Sequence, residues 1–388
     1  SDTLPRPEAR GFWLLGVDVT PQPRRFARTL TDLGFVYQPN AVAGNKPVTI
    51  GHQYSTVALL PEEEPGLTSS WVVPMSTQRV ATTADKELVG AAQIAALLAD
   101  DELPWHHELV VEVGDTSYSK PAYLYANREH ENLVTIARAR SNRTFYRAYV
   151  YPEGERPAHR PRRYGAAFKL PDPTTWHAPD VTTRFAWISR GDRTYTVHIQ
   201  GWHTMLMPGK NKPERIPMAD HPFTLVKATL HREDGTAVFC RPLWLIVVGE
   251  RRTELSLRQV FEAYTAREDI EHFFRFSKQN LLLTAYQTPE TEREVRWWKV
   301  VHIAYDMLWA ARHLAHHLPR PWEQYLPTVK KQEVSPSMVQ RDFTRLIRQL
   351  GSPARSPKPR GNSSGRPAGT KLPARPRQKV VIKGKKDP

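Results

Sequence analysis

Cysteine is almost missing: Cys240 is the only one among 388 residues. That excludes an internal disulfide framework and any zinc site built on several thiolates. Cys240 lies in the apolar stretch TAVFCRPLWLIVVG and is expected in the core. No apolar run reaches the ~18 to 20 residues of a membrane span, and no secretory leader precedes the first charged residues. A reducing, cytoplasmic setting without a membrane partner is therefore expected. Acids are nearly absent from the C-terminal end. From Gly351 to Pro388, eleven Lys and Arg stand against Asp387 alone, among seven Pro and five Gly. With no apolar periodicity, this stretch reads as a disordered basic tail that tracks phosphates.

What is present supports a large core. Forty per cent of residues are hydrophobic, with 11 Trp, 14 Tyr and 13 Phe. The formal charge of +15 and pI of about 9.9 suit a polyanionic partner. Since the tail carries +10, the folded part is only mildly basic.

Patterning divides the chain into four stretches. Residues 1–121 read as strands, a helix and a strand: WLLGVDV, GFVYQPN and HQYSTVALLPE, then an amphipathic helix in DKELVGAAQIAALLADD, then HHELVVEVGD. Leu88, Ala91, Ala92, Ala95 and Leu98 fall at helical spacing on that helix. Residues 122–250 lack long helical patterns. LVTIARAR, RFAWISR, TYTVHIQGW, FTLVKATL and FCRPLWLIVV alternate there with Pro, Gly and two basic loops, YPEGERPAHRPRRYG and MPGKNKPERIP. Residues 251–330 turn helical. SLRQVFEAYTAREDIEHFFRFSKQNLLL reads as one long helix with Ser256 as a cap, and EREVRWWKVVHIAYDMLWAARHLAHHL as a second, apolar nearly all round and so buried. Residues 331–388 read as linker and tail.

Three acids stand out by their setting. Asp18 sits inside a buried strand, Asp115 at the end of another, and Glu271 on the first long helix. A charge inside LLGVDV demands a cation, a hydrogen-bond network or a metal. Two Asp from strands and a Glu from a helix make an all-oxygen set, which suits Mg²⁺ or Mn²⁺. A pair of such ions can activate a water or a 3′-hydroxyl on one side and stabilise the leaving oxygen on the other. On the helix, Tyr264, Arg267, Glu271 and Lys278 fall within a stripe about 60° wide. Ala263, Ala266, Ile270, Phe273, Ser277 and Leu281 form a separate core face. The plainer alternative for the polar stripe is a solvated face with an i,i+4 pair between Arg267 and Glu271.

The spacing Y-(2)-R-(3)-E-(6)-K over Tyr264, Arg267, Glu271 and Lys278 resembles the YREK class of DDE transposases of bacterial insertion sequences. GVDVT and VGDTSYS stand where that family carries its two aspartates, and the likeness covers roughly residues 11–320. The resemblance implies an RNase H-like α/β core, a mixed sheet flanked by helices. It also implies a β-rich insertion between the second and third acids, which the 156-residue step from Asp115 to Glu271 accommodates. It assigns Asp18, Asp115 and Glu271 as catalytic and as ligands of two Mg²⁺ or Mn²⁺ ions. Tyr264, Arg267 and Lys278 would hold phosphates of the transposon end.

Related transposases stack an aromatic of the insertion on an unpaired base, and Trp176, in PDPTTWHAPD, is the candidate here. The implied activity is DNA cleavage and strand transfer on terminal inverted repeats and target DNA, by a DNA-induced homodimer in a bacterial, nucleoid-associated setting. A nuclease that cuts without joining, or a silent DNA-binding relic, are the rival readings. Members of the family commonly carry a helical DNA-binding region before the first aspartate, whereas 17 residues precede Asp18 here. Glu268 and Asp269 compete for the third acid, Glu112 is expected to pair with a surface Lys or Arg, and His106 and His107 are expected in a turn.

Overall fold

The computed structural model describes residues 4–38, 47–62, 71–154, 161–209, 215–316, 322, 334–351, 367, 369, 371 and 374–384. The centres of both basic loops, and most of the basic tail, lie outside the described residues. In chain order the elements are β1 (Trp13–Pro23), β2 (Gly34–Tyr37), β3 (Val48–Leu59), β4 (Val73–Val80), α1 (Lys86–Leu98), β5 (Val110–Gly114), α2 (Pro121–Asn127) and β6 (Leu133–Arg138). A hairpin follows, β7 (Thr144–Ala148) and β8 (Tyr164–Lys169), then β9 (Val181–Ile188), β10 (Thr194–Met205), β11 (Phe223–His231) and β12 (Leu243–Val248). Last come α3 (Leu257–Ala266), α4 (Glu268–Asn280), α5 (Thr291–Ala310), α6 (Arg312–His316) and α7 (Pro336–Leu350).

One sheet runs through the molecule in the order β2-β3-β1-β5-β6-β12-β11-β10-β9, with β4 paired to β3. β1 is antiparallel to β3 and parallel to β5, and β5 is parallel to β6. This is the mixed α/β sheet expected of an RNase H-like core. The β-rich stretch does not fold apart from it. β12 pairs antiparallel with β6, so β9 to β12 continue the core sheet as one surface.

Strand alternation assigns each side chain a face. Leu14, Val111 and Val113 pack on the side covered by α3, α4, α5 and α7; Leu15, Val17 and Val110 pack on the side of α1 and α2. On α1 the buried stripe is Glu87, Gly90, Ala91, Ile94, Leu97 and Leu98, while Leu88 is exposed. The expected face is rotated because Ile94 and Leu97 carry more apolar surface than Ala92 and Ala95, and Glu87 turns inward to pair with Lys120 at 2.7 Å. Cys240 is exposed, since Val238 to Arg241 belong to the turn between β11 and β12 rather than to the strand.

β4 and α7 went unread in the sequence. Pro74 interrupts the β4 pattern, where it coincides with a bulge against β3. α7 lies in the stretch read as linker and starts at Ser335, whose side chain accepts from the Met338 N–H, with Pro336 in the first turn. Within the tail, residues 374–384 lie along the body. The Gln378 and Val381 N–H groups donate to the Arg28 and Leu33 carbonyls at 2.8 Å, and Lys383 meets Asp85.

Two buried carboxylates bear on how the layers hold. Glu294 of α5 takes an ion pair from Arg24 Nε at 2.7 Å, His52 Nδ1 at 2.7 Å and the Tyr54 hydroxyl at 2.9 Å, all fully buried. Gly51, directly before His52 on β3, has no room for a side chain, because a Cβ would stand 2.2 Å from the Gln22 carbonyl oxygen. Glu112 does not pair with a surface cation as expected. Alternation turns it under α2, where the hydroxyls of Tyr123 and Thr135 moderate the effect of burial without completing a hydrogen bond. Burial lifts its carboxyl to about 8.

Replacing Glu294 by Ala strands a buried guanidinium and should cost about 3–5 kcal/mol in denaturant unfolding. Glu112→Gln should act in the opposite direction. A carboxyl raised from 4.5 to about 8 in the fold lets the unfolded chain ionise first. Stability is then lost as pH rises through that window, and the advantage of the Gln variant in thermal melts should grow over it and level off above.

Candidate active site

Asp18 and Asp115 reach one place through strand register. Gly16 of β1 lies opposite Val113 of β5, so two residues further on Asp18 stands level with Asp115. Both share the face of Leu14 and Val113, toward α3 and α4. Asp115 follows β5 directly and caps a short 3₁₀ turn, accepting from the Ser117 N–H at 2.7 Å and its hydroxyl at 2.5 Å. Gly114 permits this turn, since a Cβ there would meet the Tyr118 Cβ at 2.7 Å and its ring at 2.8 Å.

The third acid arrives on a helix that is not continuous. Ser256 forms a reciprocal cap with Gln259, as its position suggested. The expected single helix divides at Arg267, whose N–H bonds back three residues to the Tyr264 carbonyl at 3.2 Å. That tightened turn separates α3 from α4 without scattering the polar stripe. Arg267 places Nη1 3.9 Å from Asp18 Oδ2 and donates through Nη2 to Glu271 Oε1. Its guanidinium carbon lies 5.9 Å from the centroid of the buried Tyr264 ring. Lys278 Nζ donates to the hydroxyl of Thr20, which follows Asp18 on the same face of β1. Ile270, Phe273 and Ser277 form the buried opposite side, as expected.

The competing acids are placed elsewhere. Asp269 is buried and held by Arg190, with Nη2 to Oδ2 at 2.7 Å. Glu268 is exposed. His106 and His107 lie in bends, as expected. Trp176 packs on the α2 side of the sheet, away from the face of Asp18. Its indole N–H donates to the Lys169 carbonyl at 2.9 Å, Phe168 stacks on it, Trp244 meets it edge-on and Lys227 Nζ sits 4.4 Å from its centroid. Those contacts occupy the ring that was expected to receive a base.

Charge confirms that the groups feel one another. Burial pushes the Asp18 carboxyl up to about 6; Arg267 opposes the rise, and Asp115 and Glu271 add to it. Burial works against the charge of Arg267, but Tyr264, Asp18 and Glu271 outweigh it and hold the guanidinium above its ordinary value. Burial lowers Lys278, partly offset by Asp18. Tyr264 is raised by burial, against Arg267 and Arg138, and it feels Asp115. Thr20 and Arg138 escaped the sequence reading; Thr20 could have been found from its two-residue step past Asp18.

Among the described residues, no three His, Cys, Asp or Glu side chains are arranged to hold a metal ion. The expected ligand set is therefore not closed, because Arg267 stands between Asp18 and Glu271, donating to Glu271 and lying within ion-pair distance of Asp18. The donor chemistry nonetheless fits a hard divalent cation. Three carboxylates crowd one place, and a guanidinium already marks where positive charge is required.

A family model described as DDE superfamily endonuclease matches residues 2–207. The chain belongs to that family. Membership implies DNA as the substrate and, as is general among DDE enzymes, divalent ions as cofactor. The matched stretch takes in Asp18 and Asp115 and ends before α3 and α4, so Glu271 stands on geometry alone. No curated protein matches the chain. Among the described residues, no helix is long and apolar enough to cross a membrane.

Asp18→Asn should stabilise the protein. A carboxyl raised from 3.8 to about 6 loses stability as pH rises through that window. The variant should gain on the order of 1–3 kcal/mol over the parent above about pH 6 and nothing below about pH 4, read by thermal melts in chelator.

Proposed function

We propose that this chain is a DNA transposase of the insertion-sequence type, which cleaves phosphodiester bonds at element ends and joins them to target DNA. The observation that carries this reading is the convergence of Tyr264, Arg267, Glu271 and Lys278 with Asp18 and Asp115, with Arg267 spanning two of the acids. Asp18, Asp115 and Glu271 would hold two Mg²⁺ or Mn²⁺ ions. Bound there, the ions supply Lewis-acid stabilisation to the attacking and leaving oxygens.

The chain's own residues position the DNA. Arg267 is placed to exchange its carboxylate partners for a phosphate, which a planar guanidinium clamps bidentately. Lys278 contributes a point charge from the end of α4, and the Tyr264 hydroxyl a donor. The basic tail adds sequence-independent attraction to the duplex. Two inverted-repeat ends and a target call for two chains, hence a homodimer on DNA. The family description, an endonuclease, equally supports cleavage without joining, and the product distinguishes the two.

The test is nicking of supercoiled plasmid in Mg²⁺ and in Mn²⁺ by the parent and by Glu271→Gln, with DNA binding measured alongside. Nicking should fall by at least a hundredfold in the variant while binding persists, and the parent should also form joined strand-transfer products. Nicking that survives the substitution removes Glu271 from the mechanism. Nicking without joined products leaves a nuclease.

A further inference from the structure

The sequence of α5 is apolar nearly all round, yet the structure buries only part of it. Trp298, Val301, His302, Tyr305 and Leu308 face the core. On the opposite side Val300, Ile303 and Met307 are 53%, 59% and 50% exposed, and Leu314, one turn on in α6, is 40% exposed. With the exposed Ala310, these positions step by three, four, three and four residues. That is the spacing of a two-helix coiled-coil seam, in which each side chain needs a hole on a facing helix of the same period.

The area argues for one occupant. The four large side chains leave roughly 400 Å² of apolar surface open, at the size where a patch marks an interaction site. Paired with itself across a two-fold axis, the seam removes about 800 Å² before its rim adds to it, just under the ~1,000 Å² that a specific interface requires. A contact of that size is too small to hold two chains firmly and large enough to fix their orientation once DNA has brought them together.

We propose that the exposed seam of α5, continued by Leu314, is the two-fold contact between two copies of this chain assembled on DNA. The inference rests on the reading above in one respect, that two DNA ends call for two chains.

The test uses disulfide trapping of the full chain. Cys240, exposed and unpaired, is first replaced by Ser. Ile303→Cys and Met307→Cys are then introduced singly and together, with Asp101→Cys, whose side chain is fully exposed in the turn after α1 on the other side of the sheet, as control. Each variant is oxidised with plasmid DNA and, at high protein concentration, without it. Seam cysteines should give covalent dimer at least tenfold above the control, more with DNA than without. Ile303→Glu should weaken two-chain assembly on DNA at least tenfold, with an unchanged melting temperature. The proposal is overturned if seam cysteines join no better than the control under both conditions, or if Ile303→Glu leaves assembly unchanged. Either result means that the seam is covered by other residues of this chain or by a different protein. Plasmid nicking by the Cys240→Ser parent is read separately, so a failed activity and a failed interface are told apart.

Discussion

Negative charge concentrated where strands end is the constraint around which this molecule is arranged. Asp18 and Asp115 stand level on parallel strands, and α4 brings Glu271 to the same place. Burial makes ionisation of Asp18 costly, and the neighbouring Asp115 and Glu271 raise that cost further. One guanidinium cannot neutralise three carboxylates, so Arg267 bridges two and leaves the third to the donors of Ser117. A site built this way is poised for added cations, and a polyanion carrying its own counterions is a natural source of the change. Under the proposed function Arg267 would have two sets of partners, the acids and a phosphate, which it could not satisfy at once.

That balance depends on α4 being held against β1, and the holding lies outside the site. Glu294 sits at the start of α5 and takes its partners from the end of β1 and from β3. Arg24 reaches further, donating to the carbonyls of Tyr286 and Thr288 and to Gln287 in the segment that joins α4 to α5. The far end of the strand that carries Asp18 is thereby tied to the chain leaving the helix that carries Glu271. Lys278 and Thr20 make the second, local tie. A fully buried ion network adds little net stability over apolar packing, but it tolerates one registry of strand and helix, and registry is what the acids require.

The parts of this arrangement governed by periodicity were legible in the sequence. An acid inside an apolar strand, an acid at a strand end and a polar stripe on a helix follow from alternation and a 100° turn, and all three hold in the fold. The break at Arg267 was not legible, because its φ and ψ remain in the helical region and only the bonds from its own N–H to Tyr264 and from the Ile270 N–H to its carbonyl shorten to three residues. Glu112 and Cys240 failed for opposite reasons. Charge suggested a surface for Glu112, but alternation on a strand covered on both sides buries it. Apolar neighbours suggested a core for Cys240, but Arg241 and Pro242 mark a turn that ends the strand pattern. The loop around Trp176 suggests a free ring, but a loop residue near a large aromatic cluster is drawn into it by burial of ring surface.

The continuity of β9 to β12 with the core sheet has a mechanical consequence for the site. A separate insertion domain could move without disturbing the acids. Here β12 pairs with β6, β6 with β5, and Asp115 leaves the end of β5. On the same face, the buried side chains of β10 and β11 pack with Leu257, Val260 and Phe261 of α3, one to three turns before Arg267. Force applied to the outer strands therefore reaches Asp115 through the sheet and Glu271 through α3, and the two acids move as parts of one body. The remaining freedom at the site lies in side chains, above all in Arg267, whose long stem can change partners while the backbone stays fixed. Under the proposed function, an exchange of Arg267 from carboxylate to phosphate would then proceed by a change of rotamer, which needs no opening of the sheet.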